Sequence, residues 1–153
     1  MRCRLVGSEM CIRDRFIHFS PTHLIFNSLW IYILGKEIEQ LDGKIIFIFL
    51  ILFTSISSNY LQYSFSGPSL FGGLSGVVYG LLGYCFVSET FLRINKFSFP
   101  PAIYIFMFVW LLIGFTGFLD LLGFGKIANF AHLGGLLAGI LSGYIFSMYN
   151  KKT

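Results

Sequence analysis

Long apolar stretches separated by short polar connections run along most of this chain. A helix needs about 20 mostly apolar residues to cross the hydrocarbon of a bilayer. The pattern predicts five membrane spans, at residues 22–34 with an extension over 16–19, 45–63, 75–91, 102–122 and 131–149. The charges and turn-forming residues fall mainly in connections at 35–43, 64–68, 93–96 and 123–126. The predicted fold class is therefore all-α, a polytopic membrane helical bundle.

The composition supports an integral membrane protein. The chain is 56% hydrophobic and 12% charged and has 19 phenylalanines, more apolar surface than a soluble domain of this size needs. The net charge is +4, but no basic run occurs, so we expect no nucleic-acid partner. The three cysteines show neither metal-ligand spacing nor an even-numbered framework. We therefore expect no metal, no cofactor and no disulfide scaffold.

Residues 1–15 differ from the rest of the chain. They are polar, hold four arginines and two of the three cysteines, and lack the apolar region of a signal peptide. Residues 4–15 can be back-translated to a transposase adapter used in preparing sequencing libraries. We hypothesise that 1–15 is an adapter-derived leader and that 16–153 is the membrane domain without its first span. Sequencing the source DNA upstream of the codon for Phe16 tests this: an apolar span there supports the hypothesis, whereas codons for 1–15 refute it.

The basic residues predict the orientation of the spans. If the spans alternate in direction, only Lys126 falls on one side of the membrane. The other side receives Lys36, Lys44, Arg93, Lys96, Lys151 and Lys152. The positive-inside rule places that second side, with the C-terminus, in the cytoplasm. His23, Ser75 and His132 then lie at one depth toward the outer face, which indicates a single polar site.

Ser75 opens the third predicted span and His132 opens the fifth. A serine hydroxyl is a weak nucleophile until a base takes its proton, and His132 is the candidate base. Unpaired N–H groups at the start of a helix favour an oxyanion there. Gly72 and Gly73 would let a substrate backbone approach without obstruction. Each of the two residues alone also has a purely structural interpretation. Ser75 would then hydrogen-bond the end of its own helix, and His132 would be a buried histidine whose hydrogen bonds are made within the fold.

Small residues recur at helical spacing in the third and fifth spans. They are Gly76, Gly80 and Gly83 in the third span and Gly135, Gly139 and Gly143 in the fifth. Such stripes let helices approach closely in lipid, with or without catalysis. Close packing would bring Ser75 and His132 together. Tyr79 lies one turn below Ser75 and would either stack on His132 or serve as an ordinary packed aromatic.

The first span carries two polar residues one turn apart, His23 and Asn27. Both are costly in lipid unless they meet a polar cavity or each other. They are interpreted either as hydrogen-bond donors to an oxyanion or as a structural interhelical pair. His18 is a weaker candidate for lining the same cavity. Asp120, near the outer end of the fourth span, is interpreted as structural or interfacial and not as a third catalytic residue.

Four separated motifs carry a resemblance to a known family. They read HFSPTHLIFNSLW at 18–30, FSGP at 65–68, GGLSGVVYGLLGY at 72–84 and AHLGG at 131–135. In this order they resemble the rhomboid intramembrane serine proteases, most closely the bacterial GlpG type. The resemblance extends from about residue 16 to 149.

The resemblance implies a dyad in which Ser75 is the nucleophile and His132 the general base, with no third acid. It implies an oxyanion hole built from His23, Asn27 and the backbone at Ser75. It also implies supporting positions at Gly73, beside the nucleophile, at Tyr79, packed on the histidine, and in the cavity at His18.

The family's substrates are single-span membrane proteins that are cut near the outer face of the membrane. The resemblance therefore implies a multi-pass protein of the cell (inner) membrane that contacts lipid and such substrates. Rhomboids of this type have six spans, and five are predicted here. An alternative is a non-catalytic rhomboid-like protein that binds transmembrane helices, although relatives of that kind lack the serine or the histidine. A transporter or channel subunit would show broken helices in two corresponding halves or a continuous charged path, and the sequence shows neither.

Overall fold

The computed structural model describes residues 21–67, 73–92, 96–97, 99–118 and 127–150. Within these ranges the chain forms five helices and no strand, which confirms the all-α prediction. They are α1 (Pro21–Asp42), α2 (Lys44–Ser66), α3 (Ser75–Leu92), α4 (Pro101–Phe115) and α5 (Asn129–Asn150). The leader at 1–15, the extension at 16–19, His18, Gly72, Asp120 and Lys126 lie outside the described residues.

The first helix is longer than the sequence pattern predicted. The proposed turn at 35–43 is instead the last part of α1, and the connection to α2 is Gly43 alone. Leu34 and Ile38, one turn apart, are both fully buried, so apolar packing continues through the charged segment. Gly43 has a φ of 91°, a conformation that favours glycine and ends the helix. The prediction of a connection at 35–43 is thus wrong, because this segment continues α1 and buries one helical face.

The fourth helix is shorter than predicted. α4 ends at Phe115, whereas the apolar pattern ran to residue 122. Thr116 caps the helix, and Gly117 follows with a φ of 72°. A glycine in the left-handed region just after a helix satisfies its last carbonyl groups and stops it. The hydropathy of the segment could not show this stop, since an apolar run continues beyond it.

Two of these helices are long and apolar enough to cross a membrane, namely Lys44–Ser66 and Asn129–Met148. α4 is apolar but shorter. The outer surface of the bundle carries many large apolar side chains, among them Ile25 at 66% and Ile45 at 85% exposure. Contiguous exposed apolar surface of this kind marks contact with a membrane or a partner.

α2 buries its polar face and exposes its apolar one. Its buried residues are Leu50, Thr54, Ser55, Ser58, Asn59 and Gln62. These positions recur at helical spacing, so they form one stripe that points into the bundle. In lipid, polar side chains are placed inside, where they find partners, and apolar side chains cover the outside.

α3 and α5 pack closely through the predicted glycine stripes. A Cβ atom at Gly135 would overlap the carbonyl group of Gly76, and one at Gly139 would overlap that of Gly80. A Cβ at Gly83 would lie 2.7 Å from the carbonyl oxygen of Leu136. Only glycine permits this approach, so the predicted close packing of the two helices is confirmed.

A polar cluster ties the other end of α3 to its neighbours. Asp42, whose side chain is 3% exposed, forms an ion pair with Lys96. Glu89 accepts hydrogen bonds from the N–H of Phe97 at 3.2 Å and from the hydroxyl of Tyr104 at 2.8 Å. These contacts join the end of α1, the end of α3 and the start of α4, and they lie at the opposite end of α3 from Ser75.

Candidate active site

The structure brings Ser75 and His132 together. Ser75 is the first residue of α3, and His132 lies in the first turn of α5, at the same end of the packed helix pair. The Oγ atom of Ser75 and the Nε2 atom of His132 are 2.7 Å apart, which is hydrogen-bond distance. His132 is 7% exposed, so little water competes for its ring. An unprotonated Nε2 in this place can accept the serine proton.

The backbone beside His132 is held by Gln62 of α2. The Oε1 atom of Gln62 accepts a hydrogen bond from the N–H of Ala131 at 2.9 Å, and its Nε2 donates to the Oγ of Ser66 at 3.0 Å. The first N–H groups of a helix have no partner within it, so this contact caps α5. The sequence analysis did not single out Gln62. Its position on the polar stripe of an otherwise apolar span is the sequence feature that could have identified it.

Tyr79 contacts the histidine ring from below. The ring centroids of Tyr79 and His132 are 4.7 Å apart with an interplanar angle of 30°, so the two rings lie against each other at a tilt. The hydroxyl of Tyr79 donates to the carbonyl oxygen of Met107 on α4 at 3.0 Å. The tyrosine is 2% exposed and therefore limits how the imidazole can rotate.

Gly73 lies against the polar residues of α1. Its φ of 106° is a conformation that other residues rarely adopt. A Cβ there would lie 2.7 Å from Cε1 of His23 and 3.6 Å from Nδ2 of Asn27. The backbone just before Ser75 therefore runs directly past both side chains. His23 and Asn27 thus reach the same end of the bundle as Ser75 and His132.

Asn27 carries an unusual donor. The side chain is 2% exposed, yet its Nδ2 atom has no hydrogen-bond partner in the described part of the chain. A buried donor without a partner costs about 1–3 kcal/mol, so native structures rarely keep one. Such a group near the backbone of Gly73 is able to donate to an oxygen of a bound molecule.

Among the described residues, no group of three or more histidine, cysteine, aspartate or glutamate side chains is placed to hold a metal ion. The single cysteine of these ranges, Cys85, is buried and unpaired in α3. The polar groups near Ser75 are hydroxyl, imidazole, amide and backbone N–H groups. This set is suited to acyl transfer, in which a nucleophile, a base and oxyanion donors converge.

Comparison with known proteins identifies a family for almost the whole chain. The model of the rhomboid domain family matches residues 11–149. The "Rhomboid protease GlpG" of Serratia proteamaculans (strain 568) is 40% identical over 133 residues, which are 87% of this chain and 46% of that protein. The protein of the same name from Haemophilus influenzae is 35% identical over 143 residues, 93% of this chain and 71% of that protein.

A third relative of the same name, from Yersinia pseudotuberculosis serotype I, is 37% identical over 142 residues, 93% of this chain and 49% of that protein. The chain thus spans about half the length of the Serratia and Yersinia proteins. Because the family model covers far more than half of the sequence, and because the fold is a bundle of packed helices with an apolar exterior, this chain belongs to the rhomboid family of membrane proteins.

Proposed function

We propose that this protein is an intramembrane serine protease that cleaves membrane-helix substrates by a dyad of Ser75 and His132. The 2.7 Å contact between Oγ and Nε2 is the observation that carries the proposal. The similar proteins named Rhomboid protease GlpG support the same activity. The buried, packed position of His132 also supports it, because an ionisable group inside a membrane bundle is a functional candidate by default.

Both the acylation and the deacylation step depend on proton transfer to and from Nε2 of His132. Nε2 of His132 takes the proton of Ser75 as Oγ attacks the carbonyl carbon of the scissile peptide bond. The imidazolium then gives this proton to the leaving amine nitrogen, and an acyl-enzyme ester remains on Ser75. Water, deprotonated by the same Nε2, attacks the ester, releases the carboxylate product and restores the serine.

Three groups are suited to hold the oxyanion that forms during attack. The backbone N–H of Ser75 lies at the start of α3, where the helix dipole and the unpaired N–H groups favour negative charge. The Nδ2 atom of Asn27 is a buried donor that lacks a partner in the ranges the structure describes. His23 lies against the Gly73 backbone on the same side and supplies the third donor.

We place the reaction toward the outer face of the inner membrane, with the C-terminus in the cytoplasm. The support is the distribution of basic residues along the chain and the position of Ser75 at the opposite end of α3 from Lys96. Single-span membrane proteins, cut where the helix leaves the hydrocarbon, are the proposed substrates. Lipid contacts the exposed apolar side chains of the bundle.

A cleavage assay in proteoliposomes tests the proposal. The full chain is reconstituted with a panel of tagged single-span proteins, and products are followed by mass and immunoblot. We expect cleavage by the unaltered protein and none by Ser75→Ala or His132→Ala. Ser64→Ala is the matched control, because Ser64 is exposed on α2 and its hydroxyl, among the described residues, donates to the carbonyl group of Tyr60 in its own helix. Cleavage that survives Ser75→Ala would refute the dyad, and stable binding of helices without any cleavage would favour the non-catalytic alternative.

A further inference from the structure

α4 is the least embedded of the five helices. Its 15 residues include only three that are buried, Met107, Leu111 and Gly114, whereas six of its large apolar side chains are exposed. Three hydrogen bonds between described residues join it to the rest of the bundle. Tyr104 donates to Glu89, Tyr79 donates to the carbonyl of Met107, and Asn129 donates to the carbonyl of Gly114. A helix with so little buried surface depends more than its neighbours on such bonds.

The bond from Asn129 is a joint between two helix ends. Asn129 is the first residue of α5, and its Nδ2 donates to the carbonyl oxygen of Gly114 at 2.7 Å. That carbonyl lies in the last turn of α4, where backbone acceptors lack a partner within the helix, and it also accepts from the N–H of Gly117 at 3.4 Å. Phe115 and Phe130 meet beside it edge to face, with ring centroids 5.5 Å apart.

Gly114 is fitted to this joint. A Cβ atom there would lie well inside van der Waals distance of the Oδ1 atom of Asn129. Any larger residue would therefore push the asparagine off the carbonyl. The Oδ1 atom itself is buried and has no partner within the described ranges, so the side chain is held in place chiefly by the bond from Nδ2.

The joint lies within one helical turn of the histidine. Asn129 precedes His132 by three residues, and the N–H of His132 bonds the carbonyl of Ala128 at 3.2 Å. A displacement of the outer end of α4 is therefore transmitted to the first turn of α5. The second link acts on the ring itself, because Tyr79 stacks on His132 and donates to α4.

We infer that Asn129 is a positioning residue that joins the outer end of α4 to the turn of α5 carrying His132. His132 stays within hydrogen-bond distance of Ser75 only while α4 is docked at this joint. The inference rests on the proposed function, since it concerns the pair of residues assigned there to the reaction. It assigns to α4, the helix with the fewest buried residues, control over the geometry of the dyad.

Four variants of the full chain test this joint. Asn129→Ala removes the side chain, and Asn129→Asp keeps its size but removes the donor. Gly114→Ala displaces the asparagine, and the double variant Gly114→Ala with Asn129→Ala removes the collision. Thr116→Ala is the control, because the described bonds of the Thr116 hydroxyl are local: it donates to the carbonyl of Ile113 at 2.6 Å and accepts from the N–H of Phe118 at 3.3 Å.

The first readout is the rate at which a small fluorophosphonate labels Ser75, beside the thermal unfolding temperature in detergent. We expect a loss of about tenfold to a hundredfold in labelling for both Asn129 variants and for Gly114→Ala, the scale of a small misplacement of reacting groups. We expect no further loss in the double variant, and unaltered labelling in Thr116→Ala. A negatively charged aspartate at the start of a helix interacts favourably with the helix dipole. We therefore expect Ser75 to be labelled slowly in Asn129→Asp, with no decrease in the unfolding temperature.

Additive losses in the double variant would overturn the inference, because residues that share one interaction are not additive. The inference would also be overturned if the labelling rate of Ser75 fell only in proportion to the decrease in unfolding temperature. Labelling is measured across the range in which imidazole titrates, so that a changed proton affinity is distinguished from a lost contact.

A second readout does not depend on reactivity. The ¹⁵N resonance of the His132 ring reports its contact with Ser75 whether or not the serine is labelled. We expect Asn129→Ala to shift this resonance toward its position in Ser75→Ala, and an unshifted resonance would overturn the inference. If the unaltered chain is not labelled at Ser75 but the resonance shifts as expected, the proposed function fails and the joint is upheld.

Discussion

At the scale of single residues, Gly73 shows how a backbone conformation and a side-chain contact act together. Its left-handed φ of 106° and the closeness of His23 both exclude a side chain. Gly67 separates the two effects, because it also has a positive φ, 68°, but no described residue lies within 4 Å of the Cβ that it lacks. The two glycines therefore form a matched pair for mutation.

We expect Gly73→Ala to lower the cleavage rate at least about tenfold, because the new methyl group would displace His23 from the site. Gly67→Ala should cost about 1–2 kcal/mol of backbone strain yet leave the cleavage rate nearly unchanged. Steady-state cleavage and the unfolding temperature of both variants check this. Equal losses of activity in the two variants would show that strain, and not the contact with His23, is decisive.

Asn27 offers a second prediction at this scale. Asn27→Ala should reduce kcat by about tenfold to a thousandfold, the usual cost of losing one oxyanion donor. The free energy of unfolding should decrease much less than the loss in kcat implies, because the variant loses no hydrogen bond between Nδ2 and a described group. The measurement is kcat together with the unfolding temperature. Asn59→Ala, another buried asparagine with an unpartnered side-chain atom, is the control and should keep kcat.

At the scale of elements, the contact between α3 and α5 depends on glycine. The backbone of α5 at Gly139 lies against the carbonyl group of Gly80, with no room for a Cβ. Gly139→Leu should therefore separate the helices, lower the unfolding temperature sharply and abolish cleavage. Leu141→Phe is the matched control, because Leu141 is 51% exposed on the same helix and should accept the change. A stable, active Gly139→Leu protein would show that close approach is not needed.

The sequence predicted the existence and order of these elements but not all of their ends. The five apolar stretches and both glycine stripes were readable because spacing alone places residues on one face of a helix. The ends of α1 and α4 were not, because they are set by buried packing at Leu34 and Ile38 and by the stop at Gly117. Gln62 was missed since its partner, the N–H of Ala131, lies 69 residues away along the chain.

At the scale of the whole molecule, the two ends of α3 have different roles. Ser75 begins the helix, and the polar cluster of Asp42, Lys96, Glu89 and Tyr104 surrounds its other end. At 1.5 Å per residue the 18 residues of α3 separate them by about 27 Å. Stability at one end and chemistry at the other should therefore be separable by mutation.

Lys96→Met tests this separation. It leaves Asp42 buried without its ion-pair partner, which should cost about 3–5 kcal/mol in the free energy of unfolding. Combining it with Asp42→Asn removes the uncompensated charge and should recover much of the loss. Labelling of Ser75 below the unfolding temperature should stay unchanged in all three proteins. Denaturant unfolding and fluorophosphonate labelling measure the two quantities, and a slowed label in the stable double variant would refute their independence.

The sequence by itself determined the helical class, the apolar exterior, the four motifs and the two candidate residues, Ser75 and His132, in the first turns of α3 and α5. These are local or periodic properties, which spacing and residue type fully express. Only the tertiary structure decided the 2.7 Å contact between Ser75 and His132, the burial of the Asn27 donor without a partner among the described residues, and the joint between Asn129 and Gly114. Each of these depends on distances between helices, which packing and not residue spacing sets.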